Sequence, residues 1–265
     1  MKNKFCHRAE NVEINIRLHI VRSLKMCRRM FFLFERGMKM KNPFKSLTKF
    51  EWGLWISSVV VVTVSFVLYS TDYLTLTASL IGVTALIFIS KGMVFGQILC
   101  VVFAVFYGIV SYFFAYYGEM ITYLCMSGPI ALMSVISWIK HPFEKSEEVE
   151  VNRMTKKQIV MMMILTAGVT GIFYFILKAL GNANLLLSTF SIATSFAAAY
   201  MTFMRSAYYG VGYAINDLVL IGLWTYATMD NISYMPMTVC FGMFFINDIY
   251  GFINWQRMKK RQNKN

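Results

Sequence analysis

The sequence predicts an all-α membrane protein of about eight transmembrane helices. One extra N-terminal helix precedes two parallel three-helix repeats, which are joined by a linker helix. Three observations predict it. Of the 265 residues 57% are hydrophobic and only 15% are charged, against about a quarter charged in soluble domains. The apolar residues fall in continuous runs near the roughly 20 residues that one helical crossing needs, where barrel strands would alternate in shorter segments. The basic residues are also segregated: with the N-terminus inside, all 26 Lys and Arg except Lys178 fall in inside segments, as the positive-inside rule requires.

Residues 1–50 form a basic tail holding thirteen of the 26 cations. It has no small-residue cleavage site and so is no clean signal peptide. Two alternatives stand for it: an upstream extension before a start at Met38 or Met40, or a poorly ordered cytoplasmic tail with a short surface helix. Residues 51–70 hold the extra first helix. Residues 71–140 hold the first triplet, with runs near 74–90, 93–114 and 120–139. Residues 141–158 are a charged cytoplasmic loop, and 159–181 are the linker helix. The second triplet spans 182–255, with runs near 184–202, 207–229 and 232–253, and 256–265 are a basic cytoplasmic tail. Corresponding runs start about 110 to 114 residues apart, and a single linker helix leaves both triplets with the same orientation, a known transporter plan. Each triplet has a tight turn, near Lys91 and near Arg205, and then an acidic outer turn, at Glu119 and Asp230. Trp52, Trp55, Trp138 and Trp255 fall at the expected cytoplasmic ends, where indoles favour the headgroup region.

The net charge of +13 reports orientation rather than a nucleic-acid face, because the cations lie in tails and gaps. Cys6, Cys27, Cys100, Cys125 and Cys240 show neither metal-ligand spacing nor a disulfide pattern. His7, His19 and His141 lie outside the apolar runs. No metal, cofactor or catalytic residue is expected, and no phosphate-binding loop for ATP use is present. An intramembrane enzyme needs a general base or metal at membrane depth, and two aspartates make a thin case for one. A membrane subunit of a larger complex is the other alternative. No motif argues an oligomeric number, and a homo-oligomer suits a small bundle.

Asp217 and Asp248 are the acidic residues inside apolar runs, each preceded by an asparagine, Asn216 and Asn247. A charge at the bilayer centre costs at least ~2.5 kcal/mol, so both should face the bundle interior. Asp217 shares a face with Trp224 and Asn247 with Tyr250 and Asn254. Gln97 lies early in the third run, and Pro129 interrupts the fourth. Amides, hydroxyls and rings at these places suit a flat neutral or cationic ligand with hydroxyl groups, such as a nucleoside. No Lys or Arg lies deep enough to hold a phosphate. The candidate substrate-binding residues are Gln97, Asn216, Asp217, Trp224, Asn247, Asp248, Tyr250 and Asn254; the alternative role for Asn-Asp pairs is to hydrogen-bond helices together.

At these residues the chain resembles the PnuC family, the bacterial nicotinamide riboside transporters, over roughly residues 70–262. Asn216 in the seventh run, and Asn247 and Asn254 in "INDIYGFINWQRMKKR", carry the resemblance. It implies a three-helix, linker, three-helix fold with the substrate between the triplets. It also implies facilitated diffusion into the cytoplasm across the bacterial inner membrane, made one-way by cytosolic phosphorylation. The stretch "GPIALMSVISWIKHPFE" departs from the family, with Ser134 where an amide is expected, so thiamine, riboflavin or a deoxynucleoside are alternative substrates.

Overall fold

The structure is a computed structural model that describes residues 42–264 except 71, 114–116, 145 and 183. The tail before residue 42, with Cys6, Cys27, His7, His19 and the start-site alternatives, lies outside the described residues. Residues Pro43–Ser46 form a 3-10 turn that belongs to a separate unit from the rest.

From Leu47 onward the described residues form eight helices and no sheet. They are α1 (Lys49–Tyr69), α2 (Tyr73–Ser90), α3 (Val94–Phe113), α4, α5 (Lys156–Ala179), α6 (Leu185–Phe203), α7 (Tyr209–Asp230) and α8 (Met235–Gln262). Helix α4 is built of three sections, Tyr117–Ile121, a π-helical stretch Thr122–Ser127, and Gly128–Lys140. Pro129 has no N–H to donate, which favours a wider local winding just before it. Six helices, α1, α2, α4, α5, α6 and α8, are long and apolar enough to cross a bilayer. Helix α3 is apolar over Val94–Ile109, and α7 carries Asn216 and Asp217 at its middle. The chain is a multi-pass helical membrane protein.

Three boundaries differ from the sequence expectation. Helix α1 starts at Lys49 and α5 at Lys156, because Thr48 and Thr155 are N-caps of full capping boxes with Glu51 and Gln158. Helix α8 continues through the expected tail to Gln262, with Lys259, Lys260 and Arg261 in its last turn, where cations favour the helix dipole.

Six helices pack in a closed ring in the order α2, α3, α4, α6, α7, α8, with α8 returning to α2. The other two lie outside it in matching places. Helix α1 packs with α8 and α2 around Val62, Phe66, Val83 and Phe241. Helix α5 packs with α4 and α6 around Met126, Phe173, Leu177 and Phe196. Helices α1 and α5 both turn apolar side chains outward, Ile56, Val60 and Val64 on α1 and Met163, Ile164 and Phe175 on α5. Lipid covers such faces without cost.

Two joints close the ring where the halves meet. The Trp138 indole of α4 donates to the Thr202 carbonyl at the end of α6, at 3.0 Å. The Trp255 indole of α8 donates to the Ile89 carbonyl at the end of α2, at 2.9 Å. The residue before each tryptophan bonds the next carbonyl, Ser137 to Phe203 and Asn254 to Ser90. The loop between α4 and α5 then ties the two matching turns, with Val149 N–H donating to the Gly92 carbonyl and Asn152 N–H to the Arg205 carbonyl, both at 3.0 Å. Gly92 and Arg205 both have positive φ, 68° and 55°. Burial lowers the pKa of the half-buried Arg205 guanidinium, with the Glu150 charge opposing that fall.

Trp138 and Trp255 are 1% and 0% exposed, with ring centroids 5.4 Å apart. They are therefore not interfacial belt residues, as their positions in the sequence suggested. They form a core with Val149 from the loop, Tyr209 and Met258, which fills the loop end of the ring.

Replacing Trp138 or Trp255 by Phe keeps most of the packing but removes the indole bond, leaving the Thr202 or Ile89 carbonyl to the turn N–H of Arg205 or Gly92. Each change should cost about 0.5–1.5 kcal/mol, read as a lower Tm for the purified protein in detergent.

Candidate functional site

The ring encloses a cavity of about 450 Å³ lined from all six of its helices, within the size range of small-ligand sites. It extends from Thr202 and Tyr209, next to the tryptophan core, to Asn182 and Asn184 at the opposite end.

Five of the eight candidate residues line it: Gln97, Asn216, Asp217, Trp224 and Asp248. Asn216 on α7 is 5% exposed, and its carbonyl accepts from Thr194 of α6 at 2.9 Å. That bond orients the amide with its NH₂ as the remaining donor. Gln97 is 2% exposed, and its Nε2 has no hydrogen-bond partner. Asp217 and Asp248 hydrogen-bond to each other across α7 and α8. Side chains lean toward their own helix N-terminus, and these two helices are antiparallel neighbours, so the two carboxyl groups lean together. Gly210 permits the approach: a Cβ there would lie 2.5 Å from the Asp248 carbonyl oxygen and 2.7 Å from the Phe252 nitrogen.

Aromatic rings form two walls. On the α3–α4 side Phe103, Tyr107 and Tyr123 cluster with centroids 4.6 to 5.6 Å apart. On the α7 side Trp224 and Tyr234 lie 5.7 Å apart. The π-helical stretch supplies Thr122, Tyr123 and Ser127 to the lining.

The structure sets the other three candidates in helix joints rather than in the cavity lining. Asn247 donates to Ser58 of α1 at 3.0 Å and to the Met243 carbonyl at 2.8 Å. Tyr250 donates to Glu51 of α1 at 2.8 Å, and the same carboxylate takes Lys91 at 2.9 Å. Asn254 holds the end of α2, as described. Their shared stripe faces α1 and α2 because the face of α8 toward the cavity is the one bearing Phe241, Phe244 and Asp248.

By its position in the sequence Glu119 belongs to an outer turn. It lines the cavity and accepts hydrogen bonds from Tyr107 and Ser111 of α3. Ser134, noted as the departure from the family, also lines the cavity, with its hydroxyl donating back to the Ile130 carbonyl at 2.9 Å.

A polytopic helical bundle around one solute-sized polar and aromatic cavity defines a small-molecule membrane protein of the transporter class. Comparison with known proteins carries this further. Residues 72–257 match the family described as nicotinamide mononucleotide transporter. The chain is 25% identical over 227 residues, 83% of this chain and 86% of the relative, to the nicotinamide riboside transporter PnuC of Neisseria mucosa. It is 22% identical over 229 residues, 85% of this chain and 98% of the relative, to that of Haemophilus influenzae. A crystal structure of the vitamin B3 transporter PnuC superposes with a TM-score of 0.69 at 24% identity, covering 82% of this chain and 94% of that one. The chain belongs to this transporter family.

Asn247→Ala should separate a joint from a ligand contact. It should lower the Tm, through loss of the Ser58 bond, and leave ligand affinity unchanged within about twofold, as measured by calorimetry.

Proposed function

We propose that the protein is a nicotinamide riboside transporter. The observation that carries this is the charge of the cavity lining: Glu119, Asp217 and Asp248, with no Lys, Arg or His among the described lining residues. The matched family is described by the mononucleotide, and the two relatives are named for the riboside. These ligands differ by one phosphate. A phosphate monoester carries about −1.5 to −2 charge at neutral pH, and buried carboxyl groups repel it while no cation pairs with it. The riboside has no such group.

In this reading the flat ring stacks between the Trp224–Tyr234 wall and the Phe103–Tyr107–Tyr123 wall. Gln97 and Asn216 supply amides for the carboxamide and the ribose. Asp217 and Asp248 complete the contacts. Asn247, Tyr250 and Asn254 act from outside by fixing α8 against α1 and α2.

With both termini cytoplasmic in the bacterial inner membrane, the core of Trp138, Trp255 and Val149 lies at the cytoplasmic end, and the cavity reaches the outer end. Uptake is facilitated diffusion through two parallel triplets. Phosphorylation in the cytosol traps the product, because the phosphorylated form no longer fits the acidic cavity.

Purified protein should bind nicotinamide riboside at least about 100-fold tighter than the mononucleotide, a difference of about 2.8 kcal/mol, measured by calorimetry beside thiamine, riboflavin and deoxynucleosides. Equal affinity for riboside and mononucleotide would sink the proposal. Trp224→Ala should weaken riboside binding by about tenfold through lost stacking.

A further inference from the structure

Asp217 and Asp248 are each 2% exposed and hydrogen-bonded to one another. Two carboxyl groups make that bond only when one of them holds a proton, because two carboxylates in contact repel. The pair therefore carries one proton and one negative charge. The titratable groups facing it are Cys100 of α3, Tyr123 of α4, Tyr209 and Tyr213 of α7 and Cys240 of α8, and the described cavity lining has no Lys, Arg or His. The Oδ2 atom of Asp217 has no hydrogen-bond partner. Independently, Gln97 of α3 brings a buried, unpartnered Nε2 to the same cavity. Buried polar atoms without partners call for an explanation, and a bound ligand supplies one.

We propose that the Asp217–Asp248 pair, sharing one proton at net charge −1, selects a monocationic ligand and so separates the oxidised from the reduced ring of the nicotinamide riboside that the preceding section assigns to this site. The oxidised form is a pyridinium with charge +1. The reduced form has gained a hydride and is a neutral dihydropyridine. Ribose, carboxamide and outline are nearly the same in both, so hydroxyl and amide contacts do little to separate them. A buried unit charge beside the ring does separate them, since its attraction is weakly screened away from water.

The test measures Kd for both forms by calorimetry. Native protein should prefer the oxidised form by about 100-fold. Asp217→Asn and Asp248→Asn singly each leave one carboxylate in place of a pair that already carried one charge. Each should keep the preference within about threefold. The double variant Asp217→Asn/Asp248→Asn removes the pair's charge and leaves Glu119 as the remaining carboxyl of the cavity. Its preference should fall by at least about tenfold, by loss of affinity for the oxidised form alone. Asp217→Ser/Asp248→Ser repeats the test if the amide pair does not fold. Equal affinity of native protein for both forms overturns the charge proposal and leaves the riboside reading standing. So does an equal loss for both forms in a folded double variant, which would make the pair structural. A steep drop in preference in either single variant overturns the shared proton. Binding of neither form by native protein overturns the riboside reading and this proposal with it.

Discussion

The ring depends on two helix ends being capped by indoles from the other half of the chain. The last carbonyls of any helix lack partners within it, and inside a bundle water is scarce to replace them. Here a turn N–H reaches one at each end, Gly92 to Ile89 and Arg205 to Thr202, and the Ser90 and Phe203 carbonyls take side chains of the facing helix. Trp255 caps α2 and Trp138 caps α6, with Asn254 and Ser137 taking the next carbonyl in each case. These bonds fix α8 on α2 and α4 on α6, the two contacts that turn two rows of helices into a closed ring. A ring of six helices leaves a space at its centre, and that space is the cavity.

The polar chemistry of the cavity follows from what the outer surface excludes. Helices α1 and α5 meet lipid with apolar side chains, and polar groups at membrane depth turn inward. Some satisfy each other, as Thr194 does Asn216. Others, such as Gln97 Nε2 and Asp217 Oδ2, stay without protein partners. A carboxyl pair in such surroundings lowers stability unless something else is gained, and in the function proposed above what is gained is recognition.

Helix number, loop positions and membrane class were legible because apolar continuity and the placement of cations are properties of a line. Facing is not. Trp138 and Trp255 stand at helix ends, where indoles commonly meet headgroups, and only the packing of α4 on α6 and of α8 on α2 buries them. Asn247, Tyr250 and Asn254 form a true polar stripe, yet it meets α1 and α2 instead of the cavity. Glu119 looks like a turn residue until Tyr107 and Ser111, on a different helix, are seen to hold it. The pairing of Asp217 with Asp248 joins separate helices, and its signal is the small Gly210 that lets their backbones meet. The π-helical stretch before Pro129 alters which residues of α4 face inward, a shift that a regular period of 3.6 does not describe.

The reciprocal capping has a consequence for how the molecule is assembled. Each half lacks the group that finishes its own first helix and carries the group that finishes the other's. This is the logic of a two-fold isologous interface, in which one patch meets its own copy, here written into a single chain. A half expressed alone would present an open helix-end carbonyl, of Ser90 or of Phe203, and an unpaired indole along one edge, and a second copy of itself would be the surface that matches both.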